Sequence, residues 1–294
     1  MAIKQKSPDP QKIYPIPPYA EQEQDPPGFE SQMDPRPEFG KESYLGSGKL
    51  QDKVAIITGG DSGIGRSVAT LFAKEGSDIV IAYLSEDEDA EETRQVVEDA
   101  GRACLLIKGD IGDKAHCQEI IKQTIDKFGS IDILINNAAF QNSVESITEL
   151  TEDALERTFR TNIFAMFFLT QLALPHLNTG GSIINTASIQ AFQPSPNLIA
   201  YAATKAAIVN FTRALSHEVA GKGIRVNTVA PGPVWTPLIP STLGKEKTKN
   251  FGKDSLFGRA AQPIELASIY VFLASTDASY VSGQVYGATG AAFP

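Results

Sequence analysis

The feature that most constrains the fold is an apolar run entering a glycine-rich turn, Val54-Ala-Ile-Ile-Thr58-Gly-Gly-Asp-Ser-Gly-Ile-Gly65. A short unbroken run of branched aliphatic residues suits a strand covered on both faces. Gly59, Gly63 and Gly65 then allow a tight turn, close approach of backbone to a ligand, and packing of the next helix on the strand. The helix that opens at this turn offers free N–H groups and a positive dipole end, a suitable seat for a pyrophosphate. The spacing is G-x-x-x-G-x-G, not G-x-G-x-x-G, so the strand–turn–helix context carries the reading.

The same alternation continues down the chain. Strands are expected at Ile79–Tyr83, Ala103–Lys108, Ile131–Ile135, Ser182–Thr186 and Arg225–Ala230, with a weaker one at Gln284–Tyr286. Helical segments fall between them, near Ile64–Gly76, Asp89–Ala100, Lys114–Phe128, Thr151–Leu177, Tyr201–Ala220 and Pro263–Ala274. This pattern predicts an α/β fold with a single doubly wound parallel sheet of Rossmann type, helices on both faces, and a ligand at the carboxyl ends of the strands. At 294 residues, 42% of them hydrophobic, the chain can build one substantial core.

The amino-terminal segment differs. Nine of the eighteen prolines precede Gly40, mixed with Gln, Glu and Asp. Proline removes amide donors and fixes φ, so neither a helix nor a central strand is expected there. Residues 1–48 are therefore read as a proline-rich arm and residues 49–294 as the catalytic domain. Two readings of the arm stay open: a solvated tail, or an extended segment whose Tyr14, Tyr19, Phe29 and Phe39 dock on this subunit or a neighbour.

Composition narrows the partners. A net charge of −9 argues against nucleic acid. The start is not followed by an apolar signal core, and the most apolar helical stretch, Ile163–Leu174, is too short for a bilayer, so no membrane partner is expected. Cys104 and Cys117 form no C-x-x-C motif, which implies neither a disulfide framework nor a zinc site and fits a reducing cytoplasm. His116, His176 and His217 lack ligand spacing, and no metal is expected.

Chemistry enters with Tyr201 and Lys205, preceded thirteen residues earlier by Ser188. If Tyr201 opens a helix, Lys205 lies one turn on and on the same face. A free tyrosine has a pKa of about 10; a neighbouring ammonium is expected to lower it toward useful acid/base range. Ser188 can hydrogen-bond and orient a substrate oxygen. Beside a dinucleotide cradle, this set suggests hydride chemistry on a carbonyl or alcohol. A serine hydrolase is the rival use of Ser188, but no G-x-S-x-G elbow surrounds it.

Taken in order, these motifs resemble the short-chain dehydrogenase/reductase family from about Leu50 to Gly290. The matching elements are Thr58-Gly-Gly-Asp-Ser-Gly-Ile-Gly65, Asp110, Asn136-Asn137-Ala138-Ala139, Asn162, Ser188, Tyr201-x-x-x-Lys205 and Pro231-Gly232-Pro-Val234-Trp-Thr236. The arm resembles that of a bacterial subgroup. The resemblance implies an NAD(P) cofactor held by Gly59, Asp61, Ser62, Gly63, Ile64 and Gly65 at the turn. Asp110 and Ile111 would flank the adenine, Asn137, Ala138 and Ala139 the ribose side, and Pro231, Gly232, Val234 and Thr236 the nicotinamide. Thr186, Tyr201 and Lys205 would complete the cofactor set. Asn162 would anchor a water-linked relay to Lys205. Ala139 departs from the family, which usually has glycine there.

Tyr83, Leu84 and Ser85 at the end of the second strand are also expected to bind the cofactor. Ser85 with backbone amides can accept either form, because the segment carries neither the acid that favours a ribose 2′-hydroxyl nor an arginine for a 2′-phosphate. NAD versus NADP therefore stays open. Substrate contacts are expected from Ser188, Gln190, Gln193, Tyr201 and Trp235, with Phe140, Gln141, Ile189, Phe192 and Leu238 nearby. Their mixed character suggests an aldehyde, a hydroxyketone or a sugar-like polyol. Residues 237–258 read as a lid that orders on ligand binding. The apolar faces of the fourth and fifth long helices suggest a homodimer or homotetramer. Two alternatives accompany the oxidoreductase: a sugar or polyol 1-dehydrogenase, and a nicotinamide-binding regulatory or scaffold protein without turnover.

Overall fold

The apolar runs become parallel strands of one sheet, seen in a computed structural model that describes residues 8–292. The strands are β1 Val54–Thr58, β2 Asp78–Tyr83, β3 Cys104–Lys108, β4 Ile131–Asn136, β5 Leu177–Thr186, β6 Arg225–Pro231 and β7 Val285–Ala288, in the order β3-β2-β1-β4-β5-β6-β7. Every pairing is parallel, with β1 between β2 and β4. All five side chains of β1 are buried, as a strand covered on both faces requires. The order reverses between β1 and β4, and such a switch point opens a crevice at the carboxyl edge.

Helices cover both faces. One layer is α1 (Gly63–Lys74), α2 (Asp87–Asp99) and α9 (Pro263–Ala274), which bury Leu71, Val97 and Leu266 against the sheet. The other is α3 (Lys114–Phe128), α5 (Ala165–Ala173) and α6 (Ile199–Val219), which bury Ile120, Leu169 and Leu215. Local signals set their ends. Asp113 caps α3 by accepting from Ala115 N–H, and Gly129 closes it in the left-handed region. Pro263 opens α9 beside a reciprocal Gln262–Glu265 capping box. Among the described residues no helix is long and apolar enough to cross a membrane.

Three segments gain detail that the sequence left open. The helix expected over Thr151–Leu177 is present but not uniform: α4 (Glu152–Phe159) runs through a π-helical turn, Arg160–Phe164, into α5, and a 3₁₀ turn ends it at Leu174–His176. The 237–258 segment holds two short helices, α7 (Leu238–Thr242) and α8 (Lys245–Lys249). The arm docks on its own subunit. Tyr19 and Phe39 are buried, Phe29 and Tyr14 half-buried. Tyr19 stacks on Trp235 with ring centroids 4.1 Å apart, inside a cluster with Met33, Ile239 and Ala260.

Candidate active site

A cavity of about 390 Å³ opens at the carboxyl edge of the sheet, within the usual range for small-molecule sites. The turn after β1 forms its floor, contributing Gly59, Asp61, Ser62, Gly63 and Ile64. Gly65 stands behind the lining: a Cβ there would lie 1.9 Å from Gly59 O, so only glycine lets α1 close onto the turn. Asp61 is buried, and its carboxyl is pushed up to about 6, first by burial and then by the charge of Glu86.

The ends of the neighbouring strands supply the walls. Tyr83 and Leu84 follow β2, Asp110 and Ile111 follow β3, and Asn137, Ala138 and Ala139 follow β4. Asn137 ties β4 to β1, since its Nδ2 donates to Thr58 O at 3.1 Å and its backbone N–H to Thr58 Oγ1 at 2.9 Å. Thr186 lines the cavity from the end of β5, and Pro231, Gly232, Val234 and Thr236 from β6 and its exit. Ser85 lies outside the lining; it is exposed and its hydroxyl donates to Glu86 at 2.6 Å.

The reacting groups sit at the inner wall. Ser188 follows β5, and its side chain caps the next 3₁₀ turn through Gln190 N–H. Tyr201 lies in the first turn of α6, with its ring and the Ser188 hydroxyl buried and the two hydroxyls hydrogen-bonded. Lys205 is one turn on, its Nζ 5.2 Å from the Tyr201 ring centroid and donating to Thr186 O at 2.8 Å.

The electrostatics run opposite to the sequence-based expectation for the phenol. Burial pushes Tyr201 up to about 12, the Ser188 hydrogen bond offsetting only part of that. Burial also pulls Lys205 down to about 7. Two desolvated groups each favour their neutral forms, and the lysine is turned toward a carbonyl rather than the phenol oxygen. In this state Tyr201 holds its proton firmly, which suits a group that donates to a carbonyl oxygen.

Asn162 does not line the main cavity. It sits in the π-helical turn, where Oδ1 accepts from Phe140 N–H at 2.7 Å. Its Nδ2 donates to Phe140 O at 2.9 Å and to Thr204 Oγ1 at 3.1 Å. The side chain thus pins the segment after β4 to α6, and the widened helical turn presents it there.

Of the expected substrate residues, Gln190 lines the cavity with Ser188 and Tyr201, whereas Gln193 is exposed outside it. Trp235 is displaced more sharply. It is fully buried, faces away from the cavity, and donates from Nε1 to Pro35 O at 2.7 Å. Its indole needs both apolar cover and an acceptor, and the arm supplies both. Of the other nearby candidates, Phe140, Gln141, Ile189 and Leu238 line the cavity and Phe192 does not.

Sequence reasoning missed Pro26 and Pro27 of the arm, Arg157 of α4, Thr161 of the π turn, and Ile239, Leu243 and Phe251 beyond β6. The arm's clustered aromatics signalled docking, but nothing in the pattern said against what. A second buried group was also missed. Arg66 of α1 is wholly buried and pairs with Glu30 of the arm at 2.8 Å and with Asp89 at 3.2 Å. Glu30 also accepts from Gly63 N–H at 2.6 Å. Burial raises Glu30 to about 7 against the opposing pull of Arg66 and the Gly63 N–H.

A parallel sheet whose edge joins a glycine-rich turn to a buried Ser–Tyr–Lys set defines a class of doubly wound nucleotide-binding oxidoreductases. Comparison with known proteins agrees. Residues 59–290 match a family model described as enoyl-(acyl carrier protein) reductase. The chain is 56% identical over 267 residues to the uncharacterized oxidoreductase YhdF of Bacillus subtilis, covering 91% of this chain and 92% of the other. It is 48% identical over 283 residues to the glucose and ribitol dehydrogenase of Daucus carota, covering 94% and 97%. The crystal structure of a short chain dehydrogenase from Burkholderia cenocepacia in complex with NADP matches with a TM-score of 0.78 at 30% identity, covering 82% of this chain and 98% of that one. The chain belongs to the short-chain dehydrogenase/reductase family.

Proposed function

We propose that this oxidoreductase transfers hydride between NAD(P) and a small carbonyl or alcohol, with Tyr201 as the acid/base group. The observation that carries the reading is the buried Tyr201–Ser188 pair at the inner wall of a cavity floored by the glycine-rich turn. The cradle fits a dinucleotide: Gly65 lets α1 close on the turn, and Gly63 and Ile64 set the helix N-terminus against the cavity. Asp110, Ile111, Asn137, Ala138 and Ala139 would border the bound dinucleotide, and Pro231 to Thr236 would close over its reactive end. When bound, nicotinamide supplies or accepts the hydride.

The chain's own residues handle the oxygen and its proton. Ser188 orients the substrate oxygen, and Tyr201 Oη gives its proton to that oxygen in reduction and takes it back in oxidation. Lys205, depressed by burial, gains charge when an anion or hydroxyl-bearing ligand faces it, and that charge would ease release of the Tyr201 proton. Asn162 holds the Phe140 segment and Thr204 in register. These roles are assigned by position and chemistry.

The substrate side is largely apolar, with Phe140, Ile189, Leu198 and Leu243 against few amides and hydroxyls, which favours a small aldehyde or ketone. The name of the Daucus carota relative supports polyol oxidation as a second reading. Further parts of the proposal concern the whole protein. Residues 1–48 form an arm, typical of a subgroup with proline-rich extensions, on a catalytic domain of residues 49–294. The protein works in the cytoplasm as a homodimer or homotetramer; exposed Phe164 and Phe167 support self-association.

The test follows NADPH and NADH oxidation against aldehydes, ketones and quinones, and nucleotide reduction by sugars and polyols. Wild type is compared with Tyr201→Phe. Turnover is expected to fall about 10²–10⁴-fold in the variant with nucleotide binding retained. Equal rates in the two proteins would refute the role of Tyr201.

A further inference from the structure

The arm lines the cavity and is bonded to two of the segments that form its walls. Pro26 and Pro27 are themselves part of the lining. On one side, Glu30 accepts from Gly63 N–H at 2.6 Å and pairs with Arg66, so the arm is fastened to the glycine-rich turn. On the other side lies α7. Gln24 N–H donates to Pro240 O at 3.0 Å, and Ser241 Oγ, whose shorter bond goes to Pro237 O at 2.8 Å, shares its proton with Pro27 O at 3.3 Å. Gly28 has φ +86°, and a Cβ there would lie 2.9 Å from Pro237 O, so the arm backbone is seated directly on the start of α7.

Behind this contact the arm and the loop share one apolar cluster, in which Tyr19 and Met33 meet Trp235 and Ile239. Two of that cluster's partly buried members, Leu243 and Phe251, also line the cavity. Tyr19 N–H donates to Lys249 O at 2.8 Å, which carries the attachment on to α8. The loop after β6 therefore cannot swing away from the glycine-rich turn without breaking arm contacts.

We propose that the amino-terminal arm is a strap across the dinucleotide groove. Pro26 and Pro27 form part of its wall, Glu30 is a positioning residue that ties it to the glycine-rich turn, and nucleotide enters and leaves only when strap and loop lift together. The inference rests on the nucleotide-binding reading given above. It also bears on residues 237–258, which the arm fastens at Pro240, Ser241 and Lys249.

A strap that gates both directions has a kinetic signature that a simple contact lacks. Loosening it raises association and dissociation rates together, while affinity changes little. A lost contact raises dissociation alone. The probe is NADPH and NADH fluorescence in stopped flow, with wild type, Gly28→Ala and Ser241→Ala full-length proteins. Gly28→Ala is strained at its backbone and crowds Pro237. Ser241→Ala removes the longer branch of a shared hydrogen bond and keeps the test decidable if the first variant does not fold.

Both rate constants are expected to rise about twofold in Ser241→Ala, the factor for about half of one net hydrogen bond in the opening equilibrium. A larger rise is expected in Gly28→Ala, with Kd within about threefold throughout. Unchanged rates, or a rise in dissociation alone, overturn the strap. A wild-type protein that binds neither nucleotide overturns the nucleotide reading itself, which is a separate result.

Discussion

Replacing Arg66 with methionine tests the charge cluster that fastens the arm to the cofactor turn. Arg66 and its partners Glu30 and Asp89 have no exposed side-chain surface, whereas Glu92 at 3.0 Å keeps a third of its own. Methionine retains most of the aliphatic packing but leaves two buried carboxylates without their cation. It also removes the guanidinium donors, each at 2.8 Å, from the carbonyls of Asp61 and Asp89, leaving Thr93 Oγ1 as the side-chain donor they share. Breaking a buried ion pair from one side costs about 3–5 kcal/mol, and that range is expected at pH 7.

The pH dependence gives a sharper test. Glu30 already stands near pH 7 with Arg66 in place, above its ordinary carboxylate value. Arg66 is what holds it down, so the variant raises it further. A carboxyl whose folded pKa exceeds its unfolded one binds more protons when folded, and stability falls as pH rises through that window. Wild type loses this contribution by about pH 7, whereas the variant goes on losing it above. The gap between them should widen by about 1.36 kcal/mol per pH unit above 7, until the variant's own pKa is passed. Urea unfolding followed by far-ultraviolet circular dichroism at pH 6, 7, 8 and 9 measures it. A loss under about 1 kcal/mol at pH 7, or a gap independent of pH, would refute the argument.

Two further substitutions probe the site. Gly65→Ala puts a Cβ 1.9 Å from Gly59 O, and isothermal titration should find NADPH and NADH binding weakened at least about tenfold as the turn is forced open; unaltered affinity would contradict the close-packing argument. Lys205→Met removes a group whose folded pKa, about 7, lies below its unfolded value. The unfolded chain binds the extra proton, so wild-type stability should rise with pH between about 7 and 10, and the variant should lack that slope in urea titrations. Identical slopes in both proteins would show that Lys205 is not desolvated.

The sequence by itself determined the sheet and the cradle. Aliphatic runs such as Val54-Ala-Ile-Ile can be satisfied only by cover on both faces, and Gly59, Gly63 and Gly65 admit a conformation and an approach closed to other residues. Local capping signals such as Asp113 and Pro263 set helix ends within a residue or two. Ser188, Tyr201 and Lys205 were legible because their spacing, one turn on a helix and one strand exit away, matches the chemistry.

Tertiary structure decided what depends on partners distant in the chain. Trp235 sits inside a motif that borders the cavity, yet its indole turns to Pro35 and Tyr19, which lie some two hundred positions earlier. Asn162 sits in a π turn that periodicity alone does not reveal, with its amide held by Phe140 and Thr204. The phenol of Tyr201 moved up rather than down because burial outweighed a lysine aimed elsewhere. The arm's place followed from a buried carboxylate, Glu30, whose compensation by Arg66, the Gly63 N–H and Arg36 is assembled by the fold. Local pattern records which surfaces must be covered; which segment covers them is a matter of shape and charge that exists only once the chain has closed on itself.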